Sequence, residues 1–173
     1  MGPMGRIVGF PNPVNEKAAR VVAGVVALTS VLALATGWHW LLLPLAYGFI
    51  ARAVTGPTLS PLGRLAMDVI APRLGPPKHV PGPPKRFAQS IGAVATSLGA
   101  IVGVLLGVDA VAVAMLAMMV VFATLESVFA FCVGCTMFAG LMRLGVIPQD
   151  TCEACNDIWS RYGRRPESAA DAA

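Results

Sequence analysis

Four apolar stretches, about Val21–Gly37, Trp40–Val54, Phe87–Gly107 and Ala110–Val133, alternate with segments that hold every lysine and arginine of the chain except Arg52, which stands at the inner end of the second stretch. A membrane-spanning helix needs about 20 mostly apolar residues. A hydrophobic share of 56% with only 13% charged residues lies far from soluble-protein averages. The second stretch is the shortest and contains Pro44 and Gly48, but it follows the first after only Trp38 and His39, as in a tight helical hairpin. Arg6, Lys17 and Arg20 precede the first stretch; Arg52 at the inner end of the second, then Arg64, Arg73, Lys78, Lys85 and Arg86, come before the third; Arg143, Arg161, Arg164 and Arg165 follow the fourth. The two opposite turns, Trp38-His39-Trp40 and Val108-Asp109, hold none, so the positive-inside rule puts both termini and the central loop in the cytoplasm.

These patterns predict an all-α membrane protein with four transmembrane helices arranged as two hairpins, multi-pass in the cytoplasmic (inner) membrane. Residues 1–148 would form the membrane domain, and 149–173 a cytoplasmic Cys-containing tail with a disordered end. An A-x-A pattern at Ala33-Leu34-Ala35 resembles a signal-peptide cleavage site, but apolar sequence resumes at once and losing the first span would reverse the charge logic, so an uncleaved span is expected. The formal charge of +4 and pI near 9.2 come from scattered membrane-proximal residues, which suits anionic lipid headgroups and not a nucleic-acid partner. Ala95, Gly99, Gly103 and Gly107 share one helical face, which predicts close helix packing within one molecule, with homodimerisation as the alternative.

Between the hairpins, Ser60-Pro61 is a helix start, and Leu62, Leu65, Ala66, Val69 and Ile70 share one face up to Pro72. This predicts an interfacial amphipathic helix in the headgroup layer. The proline-rich run Gly75–Lys85 then reads as a semi-rigid extended connector.

All four cysteines form two CxxC pairs, Cys132/Cys135 and Cys152/Cys155, separated by sixteen residues. That spacing suits a four-cysteine zinc site, and it suits thiol-disulfide or sulfur relay equally well. Four apolar fillers is the plain alternative, but two complete pairs with no cysteine left over argue against it. Both active readings need cytoplasmic thiols, where lasting structural disulfides are disfavoured. Asp150 or Thr151 can cap a short helix with Cys152 in its first turn, and a helix N-terminus stabilises a thiolate, so Cys152 is the expected nucleophile and Cys155 its resolving partner. Cys132 follows a long helix and gains the same benefit only if that helix breaks and restarts, as Gly134 permits.

Glu126 lies within the fourth span, where an ionisable side chain is expensive and therefore a functional candidate, with an ion pair to Arg52 or Arg86 as the structural reading. His39, flanked by Trp38 and Trp40, reads as an interfacial anchor, and His79 as a solvated residue of the connector. No Walker, GxGxxG, HExxH or GxSxG sequence is present.

Three segments carry a family resemblance: Pro57-Thr58-Leu59-Ser60-Pro61-Leu62-Gly63-Arg64-Leu65, then Val80-Pro81-Gly82-Pro83-Pro84-Lys85-Arg86-Phe87-Ala88-Gln89, and Phe131-Cys132-Val133-Gly134-Cys135. Over roughly residues 10–148 the chain resembles the bacterial membrane proteins grouped as domain of unknown function 4395. The resemblance implies a multi-helix membrane domain, and the frequent placement of such genes beside thioredoxin-like and sulfurtransferase-like genes implies sulfur or thiol metabolism. Cys152 and Cys155 lie beyond the resembling stretch. The expected function is thiol or sulfur relay through Cys152, Cys155, Cys132 and Cys135 with a thioredoxin-like or sulfurtransferase partner, in contact with the lipid bilayer and with no required cofactor. The alternatives are a scaffold in which the same four cysteines bind zinc, and a small sulfur-compound transporter using Glu126 and the first pair.

Overall fold

A computed structural model describes residues 10–152, apart from the side chains at 149 and 150. After a two-residue strand β1 (Val14–Asn15), helix α1 runs Glu16–Thr36, with Asn15 Oδ1 accepting the Lys17 N–H at its start and Gly37 in the left-handed conformation at its end. A 3-10 turn, His39–Leu41, leads into α2 (Leu42–Thr55). Helix α3 (Pro61–Arg64) is capped by Ser60 and continues through a π-helical stretch, Leu65–Ile70, and a 3-10 turn, Ala71–Leu74. Strand β2 (His79–Val80) pairs antiparallel with β1, Val14 opposite Val80 and Asn15 opposite His79. Then come α4 (Gly82–Leu98) with a π-helical extension, Gly99–Leu105, and the helices α5 (Asp109–Phe129) and α6 (Val133–Arg143).

The described residues are all-α apart from the small ladder, and among them three helices are long and apolar enough to cross a membrane: α1, α4 with its extension, and α5. The second stretch yields 14 residues of α2, so four spans do not follow from helix length alone. Large apolar side chains such as Leu28, Val94, Val121 and Val128 face outward, and only 17% of the most apolar window of α5 is buried. An outer surface of this kind is suited to lipid, not water.

The interior is built from small side chains. Ala33, Leu42, Ala100, Ala112 and Leu116 are almost fully enclosed, and Thr96 and Ser30 satisfy their hydroxyls on carbonyls of their own helices. The main packing partners are not neighbours along the chain: α1 lies chiefly against α5, and α2 against α4. The small-residue face explains part of this, since a Cβ on Gly103 would sit 2.7 Å from the Ala112 nitrogen and one on Gly99 3.0 Å from Met115 Cβ. Gly107, expected on the same face, instead turns the chain at φ 73°.

Three boundaries differ from expectation. Helix α1 begins at Glu16, five residues before Val21, at the Asn15 cap. The extended connector stops at Pro81 and α4 begins at Gly82, five residues before Phe87. Pro83 and Pro84 occupy first-turn positions, where a missing N–H has no helical partner to lose, and Asn12 Oδ1 accepts the Gly82 N–H. The long fourth helix stops at Phe129 and not at Val133, and the break lies at Ala130, not Gly134. The face of α3 also shifts. Ala66 and Ala71 are buried with Leu62 and Met67 packed beside them, while Leu65 and Val69 are exposed.

Candidate functional site

The break between α5 and α6 is built from local geometry. Ala130 takes the left-handed conformation at φ 56°, ψ 21°, and the Phe131 N–H donates to the Leu125 carbonyl, as in a Schellman closure. From α1, Arg20 donates through Nε to the Ser127 carbonyl (3.0 Å) and through Nη2 to the Val128 carbonyl (3.1 Å), placing a cation on the negative end of α5. A left-handed alanine costs about 1 kcal/mol relative to glycine. Ala130→Gly is therefore expected to stabilise the protein by about that amount, readable as a shifted midpoint in detergent unfolding.

Cys132 is the N-cap of α6. Its backbone is extended (φ −91°, ψ 102°), and its Sγ accepts the Cys135 N–H at 3.3 Å. N-cap and third helical position face each other, so the two Cα atoms lie 5.2 Å apart, within disulfide range, and the sulfurs are bonded. The helix restart that the sequence made conditional is present, so Cys132 sits where a helix N-terminus stabilises a thiolate. Gly134 serves a different end from the expected one. A Cβ there would lie 2.6 Å from Ala88 Cβ, so its role is to let α6 touch α4.

Glu126, one turn from the end of α5, pairs with Lys85 Nζ at 2.5 Å, and both side chains are largely enclosed. The expected partners were Arg52 or Arg86. Arg86 turns away to the Ala53 carbonyl (3.1 Å). Arg52 is buried against the Phe49 ring, donates to Gln89 Oε1 (3.0 Å) and Ser60 Oγ (3.3 Å), and is close enough for its charge to act on Glu126. Lys85 wins because α4 starts early, which turns it from a connector residue into a first-turn helical residue facing α5.

Two spaces meet at the disulfide. A cavity of about 70 Å³ between the helix pairs is lined by Val22, Val26, Phe49, Arg52, Glu126 and Cys132. A cleft of about 540 Å³ is lined by Glu16, Lys78, Lys85, Cys132, Cys135 and Arg143. Cys132 is 9% exposed and contributes to both, whereas Cys135 is half-buried and lines the cleft alone. The Glu16–Lys78 ion pair (2.8 Å) closes one side of the cleft beside the β1–β2 ladder.

A family model described as a domain of unknown function, DUF4395, matches residues 14–143. The chain belongs to the DUF4395 family. No curated protein and no solved structure matches it. The DUF4395 match takes in Arg52, Lys85, Glu126, Cys132 and Cys135 and ends before Cys152.

In this DUF4395 chain, Cys152 closes a 3-10 turn, Gln149–Cys152, and is buried at 4% exposure beside Phe138 and Met142 of α6. Cys155, and the helix expected after Asp150 or Thr151, lie outside the described residues. Among the described residues, no three His, Cys, Asp or Glu side chains converge as a metal site. His79 pairs in the ladder opposite Asn15, and His39 Nδ1 lies 3.3 Å from Asp109 Oδ1, joining the two turns at the opposite end of the bundle. Lys85 and Arg20 were missed as site residues. Their one readable signal was the concentration of cations at helix ends on the cysteine side.

Proposed function

We propose that this protein is an integral protein of the cytoplasmic membrane, with four spans in two hairpins and both termini inside, whose Cys132–Cys135 pair exchanges electrons or sulfur with a soluble thioredoxin-like or sulfurtransferase partner. The carrying observation is a CxxC disulfide at the N-terminus of an 11-residue helix, opening onto a cleft at the end of the bundle where the basic residues gather. Such a position favours the thiolate that exchange requires. For the fourth span, residues 39–55 are helical almost throughout and rise about 25 Å, a shortfall that a slightly thinned bilayer accommodates. Cys152 and Cys155 would supply the second dithiol of the relay.

Metal content and thiol counts of the purified protein test this reading. The expected result is metal-free protein that cycles between oxidised and reduced cysteines with thioredoxin. Stoichiometric zinc, with thiols that resist alkylation until chelation, would overturn the relay in favour of a four-cysteine zinc scaffold. Uptake of labelled thiosulfate into vesicles that vanishes in Cys132→Ser would favour a transporter instead. A membrane-impermeant maleimide should leave Cys135 of reduced intact cells unlabelled, and labelling from outside would reverse the orientation.

A further inference from the structure

We infer that the Lys85–Glu126 pair gives a proton to Cys132 and takes it back during exchange, an inference that rests on the thiol-exchange reading above. The two sulfurs have unequal access to water. Cys135 is half-buried in the open cleft and can exchange its own proton with water there; Cys132, 9% exposed, has its thiolate held by the α6 N-terminus but little water beside it to supply a proton. Each member of the ion pair shares a space with Cys132: Glu126 lines the inner cavity with it, and Lys85 lines the cleft with it.

The surrounding charges leave Glu126 as the carboxylate for this task. From α1, Glu16 is engaged with Lys78 beside the ladder, and Arg20 is spent on the α5 carbonyls. From α2 comes Arg52, and α6 offers Arg143 at the rim. The other described carboxylates are elsewhere: Asp68 is on the stretch after α3, and Asp109 is at the far end beside His39. The cavity of about 70 Å³ is less than half the size of the 150 Å³ cavity known to take benzene. It suits a few waters held by Arg52, Gln89, Glu126 and Cys132, and not an aromatic carrier. An ion pair at membrane depth is also costly to maintain, which makes a chemical use the natural reason for it.

A partner thiolate attacks Cys135 Sγ, forming a mixed disulfide and breaking the Cys132–Cys135 bond, whose electron pair leaves on Cys132 Sγ. The Lys85–Glu126 pair delivers one proton to that sulfur and is refilled from the cleft through Lys85. The partner's second thiol then attacks its own sulfur in the mixed disulfide and releases Cys135 as a thiolate, which is protonated from water. The protein gains two electrons and two protons, and the partner becomes a disulfide.

The test uses the full chain in lipid nanodiscs and measures, against pH, the rate at which reduced thioredoxin opens the Cys132–Cys135 disulfide. Glu126→Gln is expected to slow the reaction by about tenfold to a hundredfold and to change the shape of the variant-to-wild-type pH profile. Glu126→Asp should recover part of the rate and the wild-type shape, which a purely structural role would not predict. The double variant Lys85→Met/Glu126→Leu replaces the pair by apolar groups and guards against misfolding of the single variant; it is expected to fold and to stay slow. Wild-type rate and pH profile in the double variant would overturn the inference and leave the exchange function standing. Absence of any exchange in the wild-type protein would overturn both.

Discussion

Cys132→Ser, made in a chain that also carries Cys152→Ser and Cys155→Ser, is expected to form a mixed disulfide through Cys135 at least about ten times faster than Cys135→Ser does through Cys132. The probe is a single-cysteine thioredoxin activated with DTNB, and the readout is the rate of the adduct on a non-reducing gel. Two effects oppose each other. The helix N-terminus favours a thiolate at Cys132, which would make it the faster sulfur. Access works the other way, because Cys132 is 9% exposed and Cys135 lines the open cleft. A protein partner must bring its own sulfur into line with the one it attacks, so access decides. Serine is itself a good N-cap, so the Cys132→Ser helix should remain intact. Equal rates, or a faster Cys132, would reverse the assignment of the attacked sulfur.

Lys85→Met is expected to destabilise the protein by about 3 kcal/mol, because it leaves the Glu126 carboxylate enclosed without its partner. Lys85→Met/Glu126→Leu should lose less than half as much, since removing both charges also removes the need to desolvate them. The comparison is an SDS titration in mixed micelles, reading the midpoint for each variant. Nearby Arg52 softens the asymmetry without cancelling it, because its guanidinium is committed to Gln89 and Ser60. Equal loss in the single and double variants would mean that the pair contributes only packing.

Much of the helical pattern was legible in the sequence because a long apolar run is informative: a segment of spanning length that shuns water must satisfy its backbone internally, and does so as a helix. The cap at Ser60 was legible for a local reason, whereas Asn15, which starts α1 five residues before Val21, and Gly37 obey the same rule without having been read as caps. Asn15 and Ser60 hold oxygens at the distance that an orphan N–H needs, and Gly37 can take a left-handed φ without strain. Prolines 83 and 84 misled the reading of the connector, because proline breaks a helix interior but is tolerated in a first turn, and only a cap tells the two apart. That cap is Asn12, seventy residues away.

The paired CxxC motifs and the charge on Glu126 were visible in the sequence, but their relationship was not. Whether Cys132 receives a helix N-terminus depends on where the long fourth helix ends, and that end is set by an alanine in a conformation no alanine prefers, with Arg20 from another helix on the last carbonyls before it. Which cation meets Glu126 depends on the first turn of α4, and which sulfur faces water depends on how closely α6 can approach Ala88. Sequence by itself determined the apolar helices, their polar ends and the candidate chemistry, because these follow from local propensity and solvent. The tertiary structure alone decided that Lys85 pairs with Glu126 and that Cys132 lines a space with each of them, because long-range packing between helices is not encoded in the spacing along any one of them.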